Sequence, residues 1–293
     1  MLSWSSDISH LERLASYLRV KRARARYFET LRLDFSKGFP FTTRDPGYQG
    51  RIAKLWNKHK GKRGFVIGNG PSLGQMDLSK LKDEVTIGSN GIFLKFKEMG
   101  FHTTYFTMED IQQVEDRRDQ LAQVKGPVKI YGLHNSYAIK KVDEDTLFAN
   151  VAVESYPTKN RWKEFYPGFS TDFANIVYLG STITYINLQL AFFLGLNPVY
   201  IIGCDHSYGP LAKAYPPGKI RITPEVFEML KEAHFINNYH KVGGTFGIPY
   251  VSYQEDAYKR ALEVFRGSGR EVFNAGENSK LDIFPRVNFD SLF

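Results

Sequence analysis

Between Gly64 and Leu281, short apolar runs alternate with helical patterns, and each run ends in small, polar or acidic residues. FVIGN, EVTIGSN, TTYFTMED, VKIYGLHN and PVYIIGCDHSYG read as strands, and REVFNA as a last one. Apolar runs that do not alternate with polar residues suit strands covered on both faces. Strands that alternate with helices argue an α/β class with a mainly parallel sheet and helices on both faces. The helical stretches are SLGQMDLSKLK, GIFLKFKEMG, IQQVEDRRDQLAQV, the long apolar STITYINLQLAFFLG, TPEVFEMLKEAHFINNYHKV and QEDAYKRALEVFRGSG. Ligands of such sheets sit beyond the carboxyl ends of the strands. That rule gathers Asn69 to Ser72, Ser89, Asn90, Glu109, Asp110, His134, Asn135 and Asp205 to Tyr208 from distant parts of the chain.

Charge divides the chain of 293 residues in two. Residues 1–63 hold 15 Lys/Arg against 5 Asp/Glu, while the remainder is close to neutral, within a total of +8. The expected organisation is a basic helical extension over 1–60 and a catalytic α/β domain over 61–293. An insertion or lid is expected around 136–178 and 209–245. The basic stretch YLRVKRARARYFETLRL reads either as a solvated helical face or as a helix lying on a polyanion. Residues 13–33 would then meet an anionic membrane surface. Nucleic acid is not expected, because no recognition motif accompanies the charge. No run approaches the roughly 20 apolar residues that span a bilayer, and the N-terminus does not read as a signal peptide. The expected location is cytoplasmic, peripheral on the inner membrane face if the arm binds lipid. One cysteine, Cys204, excludes a disulfide framework and a cysteine zinc site.

The turn GNGPS is not a Walker loop, since no Gly-Lys-Ser/Thr follows, nor a dinucleotide fingerprint, since Leu73 stands at the third glycine. Gly68 and Gly70 would let backbone approach an anion, with N–H groups near Ser72 and a helix dipole favouring negative charge. The plainer alternative is a tight turn capped by Ser72. Asn90 reads equally as a ribose or base contact and as a helix cap. Asp205 suits a ribose, a metal or a structural bond, and Tyr208 and Tyr215 can donate to phosphate oxygens. His234 and His240 are candidate general bases, although helical spacing need not point them together.

The blocks FVIGNGPSL, GSN, LGLNPVYIIGCDHSY and HFINNY, with the tail AYKRALEVF to VFNAGENSKLDIFP, carry a resemblance over roughly residues 64–285. The chain resembles the group joining archaeal 6-hydroxymethylpterin diphosphokinases to many bacterial proteins. That group is similar in turn to bacterial family 42 sialyltransferases and to flagellin nonulosonate transferases. The sialyltransferase side implies a Rossmann-like nucleotide-binding sheet and a nucleotide-activated donor, most naturally a CMP-linked, sialic-acid-like nonulosonate, with a surface glycan as acceptor. It also implies inverting transfer without a required metal cofactor. Carried over, Asn69, Gly70 and Asn90 would contact the nucleotide, and Ser181 or Thr182 would hold phosphate or ribose. Tyr208 and Tyr215 would steady the departing phosphate, and His234 or His240 would be the base. The diphosphokinase side implies ATP and Mg²⁺, with Glu109, Asp110 and Asp205 as ligands. Met108-Glu109-Asp110 stands where the sialyltransferase relatives carry an Asn, and their base histidine falls a few residues beyond the position of His234. The oligomeric state is left open.

Overall fold

The computed structural model describes residues 48–152, 166–207, 209–231, 233–236 and 239–293, with Leu11, Leu14, Ala15 and Leu18 near the N-terminus. Seven parallel strands form the central sheet: β1 (Gly64–Ile67), β2 (Val85–Ser89), β3 (Tyr105–Met108), β4 (Val128–Gly132), β5 (Thr146–Ala149), β8 (Val199–Ile202) and β11 (Val272–Asn274). Their order is β11-β8-β1-β2-β3-β4-β5, and every pairing is parallel. Alternate residues of each strand enter opposite cores, as the two-residue period of a strand requires. Val66, Ile87, Ile130 and Ile201 join one core with the helices α5 (Ile183–Phe193) and α8 (Val251–Gly267). Phe65, Ile67, Phe106 and Tyr131 join the other, with Leu73, Leu81, Ile92 and Val114.

Helix α5 is buried from Thr184 to Phe193, and its mostly apolar surface encloses the polar side chains of Thr184, Asn187 and Gln189. Gln189 is the instructive case. Its Oε1 accepts from the N–H groups of Ser170 and Tyr178, both at 3.0 Å, and its Nε2 donates to Tyr178 O at 2.8 Å. A buried amide satisfied on both ends costs little and fixes register.

Several local expectations are corrected. SLGQMDLSKLK is two short 3₁₀ turns, Pro71–Gln75 and Leu78–Leu81, because Met76 is extended and Asp77 caps a new turn at Ser79. The helix expected after β3 divides at Arg117 into α3 (Ile111–Asp116) and α4 (Arg118–Leu121). The stretch 136–178 contributes β5, the edge strand of the main sheet, and β6 (Val151–Ala152) paired with β7 (Val177–Tyr178), while 153–165 lie outside the described residues. Residues 209–248 follow β8 and carry their own short elements. These are α6 (Gly209–Ala214), α7 (Pro224–Lys231) and the antiparallel pair β9 (Gly218–Arg221) and β10 (Thr245–Ile248). Their small core is Leu211, Ile222, Val226 and Leu230. Among the described residues, no helix is long and apolar enough to cross a membrane.

The body begins before residue 61. Helix α1 (Tyr48–Ala53) lies against β5, and Ile52 and Leu55 are buried in the core shared by α5. Arg51 binds it to the β4–β5 connection through Glu144 O at 2.6 Å. A truncation removing residues 1–60 is therefore expected to unfold the domain more readily than one removing 1–44. In the full chain, Ile52→Ala is expected to cost about 2–5 kcal/mol in urea unfolding. An unchanged midpoint would mean that α1 is not part of the cooperative unit.

Candidate functional site at the β1–β8 crevice

The chain order of the sheet reverses between β1 and β8, so the loops leaving these strands part toward opposite faces and leave a crevice. Two bonds carry the ladder past the strand ends: Gly68 N–H to Ile202 O and Gly70 N–H to Gly203 O, both 2.8 Å. A Cβ at Gly68 would lie 2.3 Å from Gly203 O, and one at Gly70 would lie 2.6 Å from the Asp205 carboxylate. These glycines serve the approach of the two loops. Asp205 then takes the place at the turn that the sequence offered to a phosphate. Its Oδ2 accepts from Ser72 N–H at 3.0 Å and its Oδ1 from the Ser72 hydroxyl. Ser72 is buried, and only its neighbours Gly68, Asn69, Gly70 and Pro71 line the crevice.

The crevice opens into a cavity of about 670 Å³, within the range of small-molecule sites. Asn69, Asn90, Glu109, Asp110 and Gln113 form the wall from β1 to β3, and Ser181 and Thr182 enter from the start of α5. Asp205 and His206 follow β8, and His234, Tyr239 and His240 close it from the lid. Five buried polar atoms on these walls have no hydrogen-bond partner: Asn69 Oδ1, Asn90 Oδ1, Gln113 Oε1, His234 Nδ1 and His240 Nε2. Buried polar atoms are normally paired, so their convergence on one cavity marks a place for a polar ligand. Asn69 is oriented by its own Nδ2, which donates to Ser89 O at 3.1 Å. Asn90 stands in the left-handed region at φ 53°, which Asn tolerates better than most residues.

The lid brings the two histidines together, which helical spacing did not require. Helix α7 ends at Lys231, and the chain from Ala233 turns back in bends. The rings of His234 and His240 lie 4.8 Å apart, and His234 stacks on Tyr239 at 4.0 Å. Tyr239 accepts at its hydroxyl from Gly91 N–H at 3.0 Å, and Arg117 donates to its carbonyl. Burial pushes His234 down to about 3, helped by His240 and Arg117, and pushes His240 down to about 4, helped by Arg117. Both rings are neutral at pH 7.

The remaining candidates divide. Thr182 caps α5 by accepting from Thr184 N–H at 3.3 Å, and Ser181, at φ 60°, receives the Gln254 amide on its carbonyl at 2.9 Å. Tyr215 packs in the small lid core and does not line the cavity. Tyr208 lies outside the described residues. Asp110 caps α3 through Gln113 N–H at 2.9 Å, and Glu109 meets His134 Nε2 at 3.3 Å. Both carboxylates line the cavity, but no group of three His, Cys, Asp or Glu suited to a metal ion occurs among the described residues. Asp205 is engaged by Ser72, so the three-carboxylate set is not assembled. Gln113 and Lys219, the one lysine among the described lining residues, were not singled out from sequence. Gln113 looked like one more polar residue on a charged helix, and nothing local distinguishes Lys219.

The histidines give the fold an acid sensitivity. Their folded pKa values lie below the usual 6.5, so the unfolded chain takes up protons that the native state refuses. Stability is full above about pH 6.5 and falls as the pH drops toward 4, by at most about 1.4 kcal/mol per pH unit for each ring. Urea unfolding between pH 7 and pH 5 should show this slope. The double variant His234→Gln/His240→Gln should flatten it, and an unchanged slope would assign the effect to other groups.

A search of curated proteins finds no match to this chain. The solved structure of a MAf glycosyltransferase from Magnetospirillum magneticum AMB-1 is similar at a TM-score of 0.51 and 14% sequence identity. The likeness covers 93% of this chain and 42% of that one, so the chain spans less than half the length of that protein and shares its fold. The 6-hydroxymethylpterin diphosphokinase MptE-like family profile matches residues 45–210, starting ahead of β1 and including the buried α1. The chain, with its parallel sheet and its crevice between β1 and β8, belongs to this MptE-like family.

Proposed function

We propose that the protein is a glycosyltransferase that uses a nucleotide-activated donor, most naturally a CMP-linked, sialic-acid-like nonulosonate, and a surface-glycan acceptor. The observation that carries this reading is the meeting, in one cavity, of unpartnered amide oxygens and two neutral histidines. Asn69, Asn90 and Gln113 offer acceptors to the hydroxyl and amino groups of a nucleoside. The first turn of α5, capped by Thr182, offers positive dipole to the donor phosphate. In the reaction an acceptor oxygen bonds to the anomeric carbon while the bond from that carbon to the phosphate oxygen breaks. The electron pair leaves with the phosphate, and the hydroxyl proton passes to His240 Nε2 or His234 Nδ1. A low pKa in the empty cavity is compatible with this role. A bound anionic donor favours the imidazolium and raises the basicity of the ring. The cycle requires no metal cofactor.

A second reading, a Mg²⁺-dependent ATP diphosphokinase acting on 6-hydroxymethylpterin or a similar molecule, is favoured by Glu109 and Asp110 on the cavity wall. Hard cations take carboxylate oxygens, and Mg²⁺ commonly uses one or two of them together with substrate phosphates. These two residues would hold the cation, which would neutralise phosphate charge.

Calorimetry of the protein with CMP and with ATP, each with Mg²⁺ and with EDTA, separates the readings. CMP binding that persists in EDTA, weakened about tenfold by Asn90→Ala, supports the transferase. ATP binding that needs Mg²⁺ and is lost in Glu109→Gln, with CMP silent, overturns it in favour of the kinase.

A further inference from the structure

Residues 54–63 join α1 to β1 at the end of the sheet opposite the cavity. This strap is pinned at every second residue. The N–H groups of Asn57, His59 and Gly61 donate to the carbonyls of Phe193, Leu194 and Gly195, each at 2.9 Å. These carbonyls close α5, where helix geometry leaves acceptors without partners. Left-handed backbone at Asn57 (φ 53°) and Gly61 (φ 75°) shapes the strap. His59 turns inward to Tyr105 Oη at 2.9 Å. The residues that alternate with and flank the pins, Trp56, Lys58, Lys60 and Lys62, are exposed.

The exposed row is chemically uniform. From Pro46 to Met76 the chain contains no Asp or Glu. Glu144 and Asp145 border a shallow cleft with Lys54 and Lys58, which leaves Lys60 and Lys62 as the uncompensated charges beside Trp56. Neither of these two lysines makes an ion pair among the described residues, whereas Arg63 is paired with Glu84. Trp56 rests one edge on Phe193, with ring centroids 5.1 Å apart, yet keeps 50% of its surface in solvent.

We propose that this strap docks the protein on an anionic lipid surface, with Lys60 and Lys62 at the phosphates and the Trp56 indole at the headgroup boundary. An indole prefers that boundary because its body is apolar and its N–H is polar. Lysine stems reach charged headgroups while their methylenes cover apolar surface. Leu11, Leu14 and Leu18 add a second apolar surface. They are helical, spaced on one face, 78%, 53% and 40% exposed, and lie in the strongly basic N-terminal sequence. Because the strap precedes β1 and the cavity follows it, a docked molecule directs its cavity away from the bilayer.

The test is cosedimentation of the full chain with vesicles of pure phosphatidylcholine and of phosphatidylcholine mixed with phosphatidylglycerol, at low and high salt. A labelled single-stranded oligonucleotide serves as a parallel probe. The expected result is binding to the anionic vesicles alone, weakened by salt. Lys60→Glu/Lys62→Glu should reduce it by more than about tenfold, with the thermal midpoint kept because both side chains are exposed. Trp56→Ala should weaken vesicle binding while leaving its salt dependence in place. Absence of vesicle binding, equal binding by the charge-reversed variant, or tighter binding to the oligonucleotide than to the vesicles would each overturn the proposal.

Discussion

One carboxylate holds the two halves of the sheet's ligand end together. A sheet whose strand order reverses has a gap where neighbouring loops part, and here the gap falls between β1 and β8. Asp205 spans it, accepting both the N–H and the hydroxyl of Ser72. Hydrogen bonds to an ionised acceptor are the strong kind, and this one receives two from a single residue. The carbonyl of Asp205 also takes Lys280 N–H at 2.9 Å, which ties the chain after β11 to the same corner. Glycine at 68 and 70 follows from this arrangement, since any side chain there would strike the facing loop or the carboxylate itself.

With that corner fixed, the lid has a rigid wall to close on. Phe235 N–H reaches Asn69 O at 3.2 Å, Tyr239 receives Gly91 N–H, and Thr245 donates to Gln112. A Cβ at Gly91 would stand 2.2 Å from the Tyr239 ring, so the first turn after β2 is shaped to the lid. The cluster of Tyr239, His234 and His240 excludes water from the imidazole nitrogens, and that exclusion keeps the rings neutral. The electrostatic character of the site is thus a consequence of how tightly the lid is pinned to the β1 and β2 loops.

Six of the seven strands of the sheet were legible in the sequence, because an apolar run bounded by glycine or asparagine says strand whatever lies far away, whereas β5 was hidden in the stretch read as an insertion. The parallel arrangement then assigned Asn69, Asn90, Glu109, Asp110 and Asp205 to one end of the sheet. What escaped depends on distant partners. Ser72 and Asp205 are 133 residues apart, and no local pattern says that the carboxylate, in place of a ligand, takes the Ser72 N–H. The histidines escaped for another reason. Reading HFINNYH as helix put them on different faces, but α7 stops at Lys231 and the bends beyond it set both rings side by side. Residues 54–60 fell within the extension read as basic and helical, and only the carbonyls at the end of α5 reveal which side chains of the strap face outward.

A common sheet does not choose a reaction, so a likeness of fold to a glycosyltransferase and membership of a family described by a diphosphokinase leave the chemistry to the cavity. Charge is the discriminating quantity. Without a ligand the lid histidines are neutral at pH 7 and bring no positive charge of their own to the cavity. Lys219 stands against Glu109 and Asp110 on the lining, and Asp205 is already turned to Ser72. A triphosphate entering this cavity would meet more negative charge than positive unless a divalent cation came with it. A sugar joined to a single nucleotide phosphate places far less charge there, within what the start of α5 and one lysine can offset. The charge of the described lining residues is therefore an argument for the proposed monophosphate-linked donor, and the polyphosphate reading depends on Glu109 and Asp110 holding a cation.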